Sequence, residues 1–182
     1  MIGLPERTEA GEYYFKYIDL VPEGDIVARL NHQMEETLAF LQGITEEKSL
    51  YRYEPAKWSI REMWNHVNDA ERLFLFRALW FARGFEDPLP SFNQDLAAAT
   101  AKADDYSWAS HIEDFQAVRL ATLTFFRNLP QEAWMRRGEA SGNPFTVRAL
   151  AFIIAGHAAH HLAVLKEKYL QNTDAAAPSA AS

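Results

Sequence analysis

The sequence predicts an all-α protein, a four-helix bundle whose helices are joined by long crossover connections. Three observations support this fold class. Four segments carry apolar residues at helical spacing, no segment alternates convincingly like a β-strand, and the connections are too long for simple helical hairpins. A chain of 182 residues fits one domain and can bury a core large enough to fold without a disulfide or a metal ion.

We predict a single domain over residues 1–170. Residues 171–182 are low-complexity sequence rich in alanine and serine, which is typical of a disordered tail.

The composition excludes several kinds of site. The chain has no cysteine, so it cannot form a disulfide, a thiolate zinc site, a cysteine nucleophile or an iron–sulfur cluster. Any metal ion must be bound by nitrogen and oxygen atoms. A net charge of −7 without a basic run argues against nucleic acid and anionic membranes as partners.

The hydropathy of the chain favours a cytoplasmic protein without a membrane span. The most apolar stretch, residues 149–165, is shorter than the roughly 20 residues that a transmembrane helix needs. The N-terminal residues are acidic and lack the apolar region of a signal peptide.

The first two helices are predicted over residues 25–43 and 59–83. Pro22 and Gly24 precede the first helix, and its apolar residues form one stripe. The second helix has the clearest start signal, because Ser59 and Glu62 have the spacing of a capping box.

The third and fourth helices are predicted over residues 107–129 and 146–170. The start of the third is ambiguous, since Asp105, Ser107 or Ser110 could cap it, whereas Thr146 is the expected cap of the fourth.

The connections between the helices carry weaker signals. Residues 83–106 are rich in proline and glycine at first and then in alanine, which favours a short helix. Residues 135–145 are rich in turn formers and favour a small hairpin.

Three of the six histidines lie close together, at positions 157, 160 and 161. His157 and His161 are one helical turn apart, on the face that also carries Leu150 and Ile154. Two inward imidazoles need two separate hydrogen-bond partners or one cation between them. His66 lies on the apolar face of the second helix, so the three histidines predict an open three-nitrogen metal site.

The sequence permits two interpretations of these histidines. Each could be a core histidine that bonds to its neighbours, but the one-turn spacing favours a shared divalent ion, either zinc, nickel or iron. We expect His32 to be exposed, and His111 to serve the first turn of the third helix or solvent.

Residues that could assist the site carry weaker signals. Asp69 lies one turn after His66, and His160 lies at the edge of the histidine face, so either could orient an imidazole or act as a base. Glutamate does not follow His157, which excludes the zincin motif, and the Glu-x-x-His pairs of a di-iron bundle are absent. Three further polar residues fall on mostly apolar stripes: Arg77, Gln116 and Arg119.

The sequence resembles the DinB-like superfamily, in particular its YfiT-like branch, over roughly residues 15–170. Three motifs carry the resemblance: Lys57-Trp58-Ser59-Ile60, His66-x-x-Asp69-x-Glu71 and Gly156-His157-x-x-His160-His161. It implies a four-helix bundle with long crossovers, a divalent metal ion held by His66, His157 and His161, and a homodimer.

The resemblance does not fix the reaction. Many members are described as metal-dependent hydrolases, and others are similar to transferases or isomerases that use low-molecular-weight thiols. We predict a divalent-metal-dependent enzyme that transfers such a thiol to a small electrophile. The alternatives are hydrolysis by a metal-activated water and a non-catalytic metal-binding stress-response module; a phosphotransfer bundle is disfavoured because the histidines face inward.

Overall fold

A computed structural model describes residues 2–170, and these residues form the predicted all-α bundle with one small hairpin. The tail predicted over residues 171–182 lies outside the described residues. The six α-helices of the described chain are α1 (Phe15–Ile18), α2 (Ile26–Gln42), α3 (Ile60–Ala82), α4 (Gln94–Ala101), α5 (Trp108–Arg127) and α6 (Val147–Val164).

The four long helices form a ring in the order α2, α5, α3, α6. Helices α2 and α3 follow one another in the chain but lie diagonally across this ring, as do α5 and α6. Long connections are needed to span the diagonals, which explains the crossovers that the sequence predicts.

Side-chain caps fix where the long helices begin. Ser59 and Glu62 form both hydrogen bonds of the predicted capping box at the start of α3. The side chains of Asp25 and Thr146 cap α2 and α6 by accepting from backbone amides of the first turn, without the reciprocal bond of a capping box. The ambiguous start of α5 resolves to Ser107, whose hydroxyl accepts from the Ser110 amide.

Both minor elements predicted in the connections are present. Helix α4 forms in the alanine-rich part of the first long connection. Strands β1 (Arg137–Ala140) and β2 (Asn143–Thr146) pair antiparallel through a two-residue turn. Ser141 and Gly142 both have positive φ angles, 54° and 69°, as the tight turn of such a hairpin requires.

Helix α6 is the central helix of the core. It continues through a π-helical turn, Leu165–Leu170, and the whole segment is long and apolar enough to cross a membrane by length and composition. However, 61% of its most apolar 18-residue stretch is buried inside the protein, as is common for the core helix of a helical bundle.

Helix α1 is not predicted from the sequence, because its four residues are too few to show helical periodicity. It packs against α6 at Gly156. A Cβ atom at Gly156 would lie 2.0 Å from the carbonyl oxygen of Tyr17, so only glycine permits this backbone approach.

Candidate metal centre

Helices α3 and α6 are neighbours in the ring, and they bring together the three histidines singled out in the sequence. His66 on α3 meets His157 and His161 on α6, and one ring nitrogen from each lies within 4.8 Å of the others. The Nε2 atoms of His66 and His157 are 3.2 Å apart. The ring centroids are separated by 4.5 to 5.1 Å, so the three imidazoles form one cluster.

Burial determines the charge of this cluster. Burial lowers the pKa of His66 to about 4 and that of His161 to about 3. The pKa of His157 is lowered well below its usual value, first by burial and then by the two neighbouring imidazoles. All three are therefore neutral near pH 7, and a neutral imidazole offers one nitrogen lone pair to a metal ion.

The residues present fit a divalent cation. The Nδ1 atom of His161 is buried and has no hydrogen-bond partner among the described residues. A buried polar atom without a partner is unfavourable, so this cluster is incompletely satisfied by the protein itself. Three imidazole ligands suit zinc, nickel or iron, and they leave coordination positions open for a substrate. Metal binding by these residues stays a prediction.

A cavity of about 110 Å³ adjoins the histidines. No aspartate or glutamate of the described chain lines it. Most of its wall is aromatic, apolar or hydroxyl-bearing, and its lining residues are Tyr13, Tyr14, Tyr17, His66, Ala70, Leu73, Phe74, Arg77, Phe92, Gln94, Ser141 and His157.

Arg77 is the cationic residue in this wall. Its side chain is buried, as the apolar stripe predicts, with a relative exposure of 2%. Its Nη2 atom donates to the Ser141 hydroxyl at 2.8 Å and to the Pro90 carbonyl at 3.4 Å. Burial lowers the pKa of Arg77, whereas the Tyr14 side chain, which hydrogen-bonds to it, raises it, and none of the ion pairs within residues 2–170 includes Arg77.

Tyrosines of the N-terminal segment cover the histidines. The Tyr17 ring lies 5.1 Å from that of His157 and 5.5 Å from that of His160. Burial raises the pKa of Tyr17, while a hydrogen bond with Lys16 lowers the pKa of Tyr13. These tyrosines are not predicted as part of the site, although Tyr13 and Tyr17 are one helical turn apart, a spacing that indicates a common face.

The two predicted assisting residues occupy different positions. Asp69 accepts a hydrogen bond from Asn65 at 2.9 Å and lies 3.6 Å from Arg72, and burial raises its pKa. These contacts join it to its own helix rather than to an imidazole. His160 is half-buried, with its ring 5.1 Å from that of His161, and burial lowers its pKa. A catalytic role for either residue stays a prediction.

Other polar residues of the sequence analysis lie away from the site. His32 is exposed as expected and contacts Glu36 at 3.3 Å. His111 is buried, not solvated, and its Nε2 atom lies 2.9 Å from the Ala103 carbonyl just before α5. Arg119 is buried in the core, whereas Gln116 is exposed, so its predicted inward position is wrong. The neighbouring Phe115 is buried, so the core-facing stripe of α5 passes one position before Gln116.

Comparisons with known proteins agree with this architecture. A model of the DinB superfamily matches residues 29–165. The solved structure of YfiT from Bacillus subtilis, described as a probable metal-dependent hydrolase with an unusual four-helix bundle topology, superposes with a TM-score of 0.67. The two are 14% identical, with 90% of this chain and 89% of that chain covered, so the likeness concerns the fold.

No curated protein matches the chain by sequence. The family match, however, spans well over half of the residues and includes all three clustered histidines. The chain belongs to the DinB superfamily.

Proposed function

We propose that this protein is a divalent-metal-dependent enzyme that acts on a small molecule, with His66, His157 and His161 as the metal ligands. The observation that carries the proposal is their convergence: three neutral imidazoles from two helices, with their ligand atoms within 4.8 Å of one another beside a cavity. A structural site would be closed on all sides, whereas this one has room for a substrate.

A divalent ion bound there would lower the pKa of a coordinated thiol or water and so supply a nucleophile near neutral pH. The protein's own residues provide the surroundings of the reaction. Tyr17 and Phe74 flank His157 and limit the access of water. The Tyr17 hydroxyl keeps its proton because burial raises its pKa, so it can donate a hydrogen bond.

For the reaction itself we propose transfer of a low-molecular-weight thiol to an electrophile. No aspartate or glutamate of the described residues lines the cavity, so a carboxylate base of the kind that the zincin motif provides is missing from its wall. A thiol needs less help from a base than water does, because its ordinary pKa is closer to neutral. The chain contains no cysteine, so the thiol must arrive as a co-substrate.

Hydrolysis is the second candidate, and one observation favours it. His160 lies beside His161, and because burial lowers its pKa it is neutral near pH 7 and can accept a proton. This is the role that a hydrolase would require of it. The structurally similar YfiT is also described as a probable hydrolase.

Metal content tests the site. Protein purified without a nickel column should contain about one divalent ion per chain, measured by elemental mass spectrometry. His66→Ala and His161→Ala should lose the ion, while the matched variant His32→Ala, on the exposed face of α2, should retain it. Equal metal content in all four proteins, or none in the wild type, would contradict the proposal.

The reaction is tested with two sets of substrates on the metal-loaded protein. One set combines small thiols with chloro-aromatic and epoxide electrophiles, and the other contains esters and amides without thiol. Thiol-dependent turnover that disappears in His161→Ala supports transfer. Ester or amide cleavage that ignores thiol and falls in His160→Ala establishes the hydrolase. Tight metal binding without turnover in either set indicates a non-catalytic binding module.

A further inference from the structure

Arg77 is a buried cation whose charge the protein does not neutralise. No carboxylate of the described residues contacts it: its partners are the hydroxyls of Ser141 and Tyr14, the carbonyl of Pro90, and the rings of Phe74 and Phe145 at about 6 Å from the guanidinium carbon. Its Nε atom is buried without a hydrogen-bond partner among the described residues. A buried charge without a counter-charge destabilises the folded protein. An anionic ligand that pairs with Arg77 would therefore remove an unfavourable contribution to its stability.

The position of Arg77 relative to the histidines matches a two-point binding site. His66 and Arg77 are eleven residues apart on α3, which is close to three helical turns, so both lie on the same face. The Phe74 ring lies 5.9 Å from the Arg77 guanidinium carbon and 6.0 Å from the His157 ring centroid, so the two groups are no more than about 12 Å apart. A small molecule can span that distance.

The hairpin turn holds this guanidinium in place at a conformational cost. Ser141 adopts a left-handed backbone conformation, with a φ angle of 54°, which is unfavourable for a residue other than glycine. Its hydroxyl accepts from the Arg77 Nη2 atom at 2.8 Å. Glycine would adopt this conformation without strain, but it has no hydroxyl to accept from Arg77.

We propose that Arg77 binds the carboxylate of the small-molecule substrate whose reacting group lies at the histidines. The inference rests on the proposed function for identifying this ligand as the substrate. A carboxylate matches the single charge and the planar donors of a guanidinium, whereas a phosphate dianion would bring a second charge into a wall that is mostly aromatic. The substrate class is therefore a monocarboxylate with an apolar or aromatic body, and Ser141 is a positioning residue for its recognition.

Ligand titration of the whole chain, with metal removed by a chelator, tests the inference. The probes are benzoate and 3-phenylpropionate, each compared with its uncharged amide, together with inorganic phosphate. At least one carboxylate should bind at least about ten-fold more tightly than its amide, and Arg77→Met should abolish this preference. The Nε–Hε signal of Arg77 in nitrogen-15 NMR should shift with the carboxylate and not with the amide.

Two further variants guard against a folding defect. Ser141→Gly should fold as well as the wild type or better, because glycine accepts the turn, yet it should weaken the carboxylate preference. Arg127→Met, an exposed arginine on α5, should change neither property.

Carboxylates that bind no better than their amides, an unchanged preference in Arg77→Met, or tighter binding of phosphate would overturn the inference. Metal content measured on the same variants separates the two proposals. If Arg77→Met keeps its metal ion and the carboxylate preference is absent from the wild type, only the inference about Arg77 has failed. If the wild type binds no metal yet prefers carboxylates through Arg77, the recognition stands and the metal-dependent function has failed.

Discussion

Two buried arginines on neighbouring helices differ in the partners that surround their charges. Arg119 on α5 is fully buried and forms two hydrogen bonds with the Glu71 carboxylate, at 2.7 and 2.9 Å. It also donates to Gln33 and to the Leu30 carbonyl of α2. Arg77 on α3 is buried to nearly the same degree, but within the described part of the chain no carboxylate pairs with it and its Nε atom has no hydrogen-bond partner.

The difference separates a structural region from a binding region. The charge of Arg119 is balanced by the Glu71 carboxylate. Gln33 extends this network to the Ala155 carbonyl, so hydrogen bonds in this region connect α2, α3, α5 and α6. Around Arg77 no carboxylate of the described residues forms an ion pair, and beside the histidines Asp95 is the carboxylate whose charge acts on His66. Two of the five buried side-chain atoms that have no hydrogen-bond partner among the described residues, the Arg77 Nε and the His161 Nδ1, lie in this region, which is consistent with a ligand site.

The largest effect is expected from breaking the satisfied region. Glu71→Gln leaves the Arg119 charge buried without a counter-charge, and this should lower the free energy of unfolding by about 3–5 kcal/mol. Chemical denaturation followed by circular dichroism measures the change. The matched variant Glu113→Gln, an exposed position on α5, should change it by less than about 0.5 kcal/mol. Equal effects of the two substitutions would refute a structural role for the Arg119 pair.

The histidines of the binding region should make the stability of the metal-free protein depend on pH. In the metal-free protein the folded pKa values of His66 and His161, about 4 and about 3, lie below the unfolded value of about 6.5. Between these values the unfolded chain binds more protons, so stability is full above pH 6.5 and is lost as the pH falls. Each histidine contributes about 1.4 kcal/mol per pH unit, on the order of 3 kcal/mol down to pH 4.

Denaturation of the chelated protein at pH 7, 6, 5 and 4.5 measures this slope. His66→Gln should reduce this slope by about 1.4 kcal/mol per pH unit, the contribution of one histidine. His32→Gln, on the exposed face of α2, should leave the slope unchanged. A slope that is the same in all three proteins would mean that the cluster is solvated rather than buried.

The contact between α1 and α6 should show an intermediate effect. Gly156→Ala places a methyl group against the Tyr17 carbonyl and must push α1 away from the histidines, at a cost of about 1–3 kcal/mol. Gly3→Ala is the control, because nothing lies within 4 Å of its Cβ position. If Gly156→Ala were as stable as the wild type, the close approach of α1 would not be a feature of the folded protein.

The smallest effect is expected at an exposed ion pair. Glu36→Gln removes the contact with His32, in which both side chains are about two-thirds exposed or more. Such pairs contribute between 0 and about 1 kcal/mol, so the melting temperature should hardly change. A loss comparable with that of Glu71→Gln would show that burial is not what distinguishes the two kinds of pair.

The sequence by itself determined the elements that depend on local chemistry. Capping residues such as Ser59 and Thr146 placed the helix starts, and turn formers placed the hairpin, because these signals act over three or four residues. The spacing of His157 and His161 likewise fixed two imidazoles on one face, since helical geometry is the same in every protein. The all-α class and the choice of His66 followed from the same periodicity.

Only the tertiary structure decided which polar residues have partners. Arg77 and Arg119 look alike on their apolar stripes, and the sequence could not tell that one meets Glu71 on another helix while the other faces a cavity. The same holds for Tyr17, which reaches the histidines from a four-residue helix far away in the chain. Such pairings depend on which helices become neighbours, and the order α2, α5, α3, α6 results from packing of the whole core rather than from any local pattern.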